Sequence, residues 1–92
     1  MPRRYGFRDV EYTRRMLDHA WDKHRISVNE IKLAARDTER TILRAKGGRY
    51  ILTGKGYDGR LVSLVAEKHG AMFRLRTARL ANRREHKLYK ER

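Results

Sequence analysis

The chain has 92 residues, the size of one domain, and carries 24 lysines and arginines against 11 acidic residues, a net charge of +13. It contains no cysteine, which excludes disulfides and thiolate zinc sites and fits a reducing compartment. No apolar run approaches the roughly 18 residues that cross a bilayer, and the first residues lack the apolar segment of a secretory signal. We therefore predict a single cytoplasmic domain spanning residues 1–92.

The positive charge is the strongest indication of function. Arginine supplies most of it, with 17 residues against 7 lysines. A guanidinium group grips phosphate through two parallel hydrogen bonds and stacks on bases, so nucleic acid is the leading partner. An acidic protein or an anionic membrane surface would also suit this charge. A basic protein without a polyanion partner is the plain alternative.

Two helices are predicted in the first part of the chain. Residues 1–8 are basic and irregular, typical of a loose arm or a short edge strand. A helical period begins at Asp9, a possible N-cap, and puts Val10, Thr13, Leu17, Ala20, Trp21 and His24 on one face, with Trp21 in the core. Ser27 and Glu30 have the spacing of a capping box, so a second helix should begin at Val28. Its buried positions are predicted to be Val28, Ile31, either Leu33 or Ala34, and Ala35.

Four strands and a last helix are predicted after Asp37. "TERTILRAK" and "RYILTGK" flank Gly47 and Gly48, which suits a two-residue hairpin turn. "LVSLVAEK" is the most apolar strand and is predicted to be central, and "MFRLRTAR" is the fourth. Short turns between consecutive strands indicate an antiparallel meander. The predicted fold class is α+β, with two N-terminal helices, a four-stranded meander and a C-terminal helix from about Asn82.

The end of the chain, "FRLRTARLANRREHKLYKER", concentrates the basic residues. Strand alternation predicts Phe73, Leu75 and Thr77 on one face of the fourth strand, with Arg74 and Arg76 on the other. Asn82 and Glu85 have capping-box spacing, which places two more arginines in the first helical turn, where free N–H groups favour a bound anion. We predict a phosphate-binding corner, with a solvated basic face as the alternative; its members are Arg74, Arg76, Arg79, Arg83 and Arg84.

The segment from Gly48 to Arg92 resembles the BrnT toxins of the RelE superfamily. That family follows a strand meander with the pattern R-I-S/T-A-R-x-A-T-R-R-E-x-x-x-Y. The matching residues are Arg76, Thr77, Ala78, Arg79, Ala81, Arg83, Arg84, Glu85 and Tyr89. Upstream, Lys23, His24, Ile26 and Ser27 match a second family segment, although Arg25 stands where glycine is usual. The opening strand and the W-D pair of the family are not evident here.

The resemblance implies the toxin of a type II toxin–antitoxin pair, an endoribonuclease that cuts mRNA without a metal or other cofactor. An RNA 2′-OH would attack the adjacent phosphate. The implied partners are RNA, an acidic antitoxin and, through the antitoxin complex, operator DNA, with no membrane partner. The alternative is a non-catalytic nucleic-acid-binding module associated with the ribosome or with DNA.

Within that scheme the catalytic candidates are Arg76 and Arg79, which would stabilise the phosphate, and His86 and Glu85, which would move protons. Support for phosphate or RNA binding would come from Arg74, Arg83, Arg84 and Tyr89. Each proton mover has a structural alternative. Glu85 can serve only as a cap, His86 can be an exposed helix residue, and Tyr89 can pack the last helix against the sheet. His69, in a predicted turn, receives no role.

Overall fold

The computed structural model describes residues 10–70 and 72–91. Their order is β1 (Val10–Glu11), α1 (Arg14–His24), α2 (Val28–Arg36), β2 (Thr41–Ala45), β3 (Arg49–Lys55), β4 (Leu61–His69), β5 (Met72–Leu80) and α3 (Arg83–Glu91). The sheet order is β1-β5-β4-β3-β2, in which β2 to β5 form an antiparallel meander and β1 lies parallel to β5. The predicted α+β class is confirmed, with β1 as a short addition. The predicted arm, residues 1–8, lies outside the described residues.

The first helix begins later than the sequence pattern predicts. Val10 and Glu11 pair with Phe73 and Arg74 of β5, and α1 starts only after Thr13, whose hydroxyl accepts a hydrogen bond from the Met16 N–H at 3.2 Å. The proposed start near Asp9 was therefore wrong, because pairing with the sheet outweighs helical periodicity at this end.

Trp21 was also predicted wrongly as a core residue. It is 47% exposed, and the Arg25 guanidinium lies 5.1 Å from the centre of its ring. The helix turns Ala20, which is fully buried, toward the sheet, and the next residue is rotated by about 100° away from it. Only one of these two neighbours can face the core.

The second helix spans the predicted residues, and the Ser27 hydroxyl caps it by accepting from the Glu30 N–H at 3.2 Å. The Glu30 carboxylate does not return to Ser27. It is fully buried and accepts hydrogen bonds from the Tyr57 N–H at 2.9 Å and from Arg60 Nε at 2.6 Å. Glu30 thus fastens the β3–β4 turn to α2. Ala34, rather than Leu33, is the buried alternative.

The meander matches the prediction except at one turn. Residues 46–48 connect β2 to β3, so the loop has three residues instead of two, and Gly47 and Gly48 adopt φ of 72° and 73°. Strand β4 is central, as predicted, and its first four residues are all buried. Helices α1 and α2 cover one sheet face and enclose the core, which includes Leu52, Leu64 and Leu75.

A β-bulge changes the alternation of β5. Val65 pairs with Thr77 and Ala66 with Leu75, so Arg76 is an extra residue on β5. Phe73 and Leu75 face the core, but after the bulge Ala78 does so instead of Thr77. The prediction that Thr77 shares a face with Phe73 and Leu75 was therefore wrong. The bulge also re-aims the arginines that follow it.

Candidate functional site

The sheet face opposite α1 and α2 is called the outer face here. Side-chain alternation and strand register arrange its residues in rows across β3, β4 and β5. Helix α3 covers one end of this face, the middle is half-buried and apolar, and the other end is open. From the covered end to the open end the rows are Thr53–Ser63–Arg79, Ile51–Val65–Thr77 and Arg49–Glu67–Arg74.

The covered end holds a polar network, the closed cluster, formed by Thr53, Ser63, Arg79 and Glu85. Arg79 donates from both terminal nitrogens to the Glu85 carboxylate, at 2.7 and 2.9 Å. The Ser63 hydroxyl donates to the same carboxylate at 2.8 Å, so the 2.8 Å contact between Thr53 and Ser63 runs from Thr53 to Ser63. Each of these polar side chains has a partner within the cluster.

Glu85 is 3% exposed and also completes the predicted capping box. The Glu85 N–H donates to Asn82 Oδ1 at 2.9 Å, and the Asn82 N–H donates to Glu85 Oε1 at 3.0 Å. Burial alone would raise the pKa of Glu85, but hydrogen bonds from Arg79, the Asn82 backbone and Ser63 together lower it to about 2. Glu85 is therefore a charged anchor that holds the start of α3 on the outer face.

This geometry bears on two of the predicted catalytic residues. Arg79 and Glu85 do lie together, as the phosphate-corner hypothesis requires. The guanidinium of Arg79 is directed at the carboxylate, however, and the hydrogen bond to Glu85 raises the pKa of Arg79. Their mutual pairing gives both residues a structural role, and their catalytic role stays a prediction.

The other predicted arginines lie along β5 and at the start of α3. Arg74 lies 3.4 Å from Glu11, and Arg76 lies 3.9 Å from Glu67, with about half of each arginine side chain exposed. Arg83 and Arg84 are exposed in the first turn of α3, and neither forms an ion pair within residues 10–70 and 72–91. These four side chains are accessible to an anion.

His86 and Tyr89, both on α3, differ in burial. His86 is exposed, whereas Tyr89 is 4% exposed and its hydroxyl donates to Asp37 Oδ2 at 2.6 Å. The same Asp37 oxygen accepts from the Lys55 N–H at 2.8 Å. The buried Tyr89 ring fits the packing alternative, in which it fastens the end of α3 to the sheet.

The open end of the outer face carries a second group of charges, the open cluster, formed by Arg49, Glu67, His69 and Arg76. The Glu67 carboxylate lies 3.3 Å from Arg49 Nε, 3.4 Å from His69 Nε2 and 3.9 Å from Arg76 Nε. The hydrogen bond from Arg49, followed by that from His69, lowers the pKa of Glu67. Sequence reasoning missed this cluster, because its members come from three strands and meet only through the strand register.

A cleft of about 660 Å³ continues the basic surface around the edge of the sheet. It lies where α1 begins beside β5, and Arg74 and Arg76 line it together with apolar groups of Tyr12, Met16 and Leu75. Strand β1 reaches only Phe73 and Arg74, so the cleft adjoins the part of β5 that β1 does not cover.

Within the described part of the chain, residues 10–70 and 72–91, no three His, Asp or Glu side chains converge so as to hold a metal ion. None of its helices combines the length and apolar character needed to span a bilayer.

The fold defines a BrnT-like α+β domain. A crystal structure of the ribonuclease toxin BrnT from Brucella abortus superposes with a TM-score of 0.63 over 80% of this chain and 96% of that chain, at 10% sequence identity. No protein-family model and no curated protein matches the sequence. At this identity the likeness establishes the fold, and the predicted BrnT-like fold is confirmed.

Proposed function

We propose that the protein is the toxin of a type II toxin–antitoxin pair and that it cuts mRNA by attack of a 2′-OH on the adjacent phosphate. The observation that carries this proposal is the row of accessible arginines along β5 on the open face of a BrnT-like sheet. The structural neighbour is a ribonuclease toxin, which supports the same class. A net charge of +13 supplies the general attraction to RNA.

The proposed chemistry needs cations beside a phosphate whose negative charge grows in the transition state. Arg76 is best placed among the predicted residues, because about half of its side chain is exposed and its 3.9 Å contact with Glu67 is loose. Arg74, Arg83 and Arg84 extend the basic surface along the RNA. Arg79 acts indirectly, by holding Glu85 and with it the first turn of α3.

The proposed protein partner is an acidic antitoxin, which would mask the arginines by charge complementarity. Binding of operator DNA would then belong to the toxin–antitoxin complex. Both partners follow from the proposed class and from the basic surface.

A non-catalytic RNA-binding module is the second candidate. The specific observation in its favour is the closed cluster, where Arg79 and Glu85 satisfy each other and leave the predicted corner without a free base. Such a module would bind RNA with a similar salt dependence but would release no new RNA ends.

The test is induced expression in a bacterium, with growth and RNA 5′ and 3′ ends followed over time. The wild type should arrest growth and generate 2′,3′-cyclic phosphate ends, and Arg76→Ala should relieve both effects. Arg15→Ala is the matched control, because Arg15 is an exposed arginine of α1, away from the outer face. Arrest without new RNA ends would favour the binding module, and no effect of Arg76→Ala would contradict the proposed site.

A further inference from the structure

The proposed ribonuclease needs one group to remove a proton from the 2′-OH and another to protonate the leaving 5′ oxygen. The closed cluster does not offer a base, since Glu85 is buried, fully hydrogen-bonded and anchored to α3. Tyr89 is buried and donates to Asp37. The open cluster differs, because its carboxylate is partly exposed and has an imidazole as a neighbour.

Each member of the open cluster is positioned by the sheet. Arg49 begins β3 and pairs in register with Glu67 of β4. His69 follows two residues after Glu67 on the same strand and therefore projects from the same face. Arg76 approaches Glu67 from the neighbouring strand β5, at the position of the bulge. The backbone that carries these groups belongs to three neighbouring hydrogen-bonded strands, with Arg49 at the start of β3 and His69 at the end of β4.

We propose that Glu67 is the general base and His69 the general acid of RNA cleavage, while Arg49 and Arg76 hold the scissile phosphate. This inference rests on the proposed function. The Glu67 carboxylate takes the proton of the 2′-OH as the bond from O2′ to phosphorus forms. The bond from phosphorus to O5′ breaks, and protonated His69 gives its proton to O5′. The products are a 2′,3′-cyclic phosphate and a 5′-hydroxyl, and no further reactant is required.

The spacing of Glu67 and His69 along β4 fits their proposed roles as base and acid. Residues two apart on a strand lie roughly 6.7 Å apart along it, so both side chains can reach the two ends of one phosphate. In the free protein His69 Nε2 contacts Glu67 Oε1 at 3.4 Å, and nearly half of the His69 side chain is exposed. A phosphate that enters between them replaces this contact and separates the acid from the base.

Phosphate binding also makes Glu67 a stronger base. The charged groups around it are Arg49 from β3, Arg76 from β5 and His69 from its own strand, with Arg74 opposite it in register. In the free protein the hydrogen bond from Arg49 lowers the pKa of Glu67. When the arginines turn to a phosphate, Glu67 loses those donors and gains a negative neighbour, and both changes raise its pKa.

The experiment uses the purified full chain and a labelled mRNA fragment, assayed free and during translation. Rates of cleavage, RNA dissociation constants and urea unfolding are measured for the wild type, Glu67→Gln and His69→Ala. We expect each variant to lose about 100-fold to 10,000-fold in the cleavage rate. Glu67→Gln should bind RNA as tightly as the wild type or more tightly, because it removes a negative charge between two arginines.

Matched controls are Glu91→Gln and His19→Ala, both exposed residues on helices outside the open cluster. They should cleave at the wild-type rate. The pH dependence separates chemistry from mere positioning. Rates for Glu67→Gln should no longer fall on the acid side.

The outcomes are distinguishable. Slow cleavage with intact folding and unweakened RNA binding by Glu67→Gln would support the assignment. Cleavage at the wild-type rate by Glu67→Gln or His69→Ala would overturn it and leave the proposed ribonuclease standing. Loss of cleavage in step with loss of folding or of RNA binding would overturn it as well. A wild-type protein that cuts neither free nor translated RNA would overturn the proposed function, and this inference with it.

Discussion

The substitution Glu85→Gln tests the closed cluster most directly. Glutamine keeps the size of the side chain and can still accept from Asn82 and Ser63, but it removes the charge that Arg79 binds. The pKa of Glu85 is lowered to about 2 from a usual 4.5. At about 1.36 kcal/mol per pKa unit, ionised Glu85 contributes about 3 kcal/mol to the free energy of unfolding near neutral pH.

The sign of the pH dependence follows from the lowered pKa. The contribution is fully present above about 4.5, where Glu85 is ionised in both the folded and the unfolded chain, and it is lost as the pH falls toward about 2. At pH 3 about 1 kcal/mol should remain. The difference in stability between the wild type and Glu85→Gln should therefore shrink by about 2 kcal/mol between pH 7 and pH 3.

Urea unfolding followed by circular dichroism at the two pH values measures this difference. Glu91→Gln is the control, since Glu91 is an exposed residue of the same helix, and its effect should stay within about 0.5 kcal/mol. A Glu85→Gln effect equally large at both pH values would refute the argument that the Arg79–Glu85 ion pair anchors α3.

Three further predictions concern the fold and the basic surface. Gly54→Ala should lower the free energy of unfolding by about 1 to 3 kcal/mol, measured in urea, because the Cβ of the new alanine would clash with the Ala34 carbonyl. A variant as stable as the wild type would refute the close approach of α2 to β3. Tyr89→Phe should lower the free energy of unfolding by about 1 to 2 kcal/mol near neutral pH and by less near pH 3. Burial raises the pKa of Asp37, but the Tyr89 hydroxyl and backbone donors lower it overall, so the contribution is lost as Asp37 becomes protonated. Thermal melts at both pH values check this, and a loss of stability that did not depend on pH would contradict it. Arg76→Ala should reduce the slope of log K against log salt for single-stranded RNA by about 0.7, measured by fluorescence anisotropy, whereas an unchanged slope would mean that Arg76 contacts no phosphate.

The two ends of the outer face differ in burial and in hydrogen bonding. At the closed cluster, burial and complete hydrogen bonding make Arg79 and Glu85 suitable for holding α3. At the open cluster, Arg49, Glu67 and Arg76 keep a quarter to a half of their side chains exposed, with looser contacts of 3.3 to 3.9 Å. Charges that must exchange partners with a substrate are better placed at the open end, because few contacts within the protein have to break when they move.

The main helices and strands, and their order, could be predicted from local patterns in the sequence. The capping boxes at Ser27 and Asn82 and the turns between strands are local signals, and each acts within a few residues. The same locality made the apolar β4 segment recognisable as the central strand. Periodicity failed at Trp21, where either of two neighbouring residues could have faced the core, and at the start of α1, where pairing with β5 was decisive.

Which charged groups come into contact depends on the packing of segments that are distant in sequence. Arg79 and Glu85 are close in sequence, yet the partner that fixes their geometry, Ser63, comes from another strand. Glu67 gains Arg49 from one neighbouring strand and Arg76 from the other, and the bulge at Arg76 brings Arg79 to the outer face opposite Ser63. Charge interactions act through space, and a single extra residue in a ladder redirects the side chains beyond it, so the positions of these groups could not be read from their spacing along the chain.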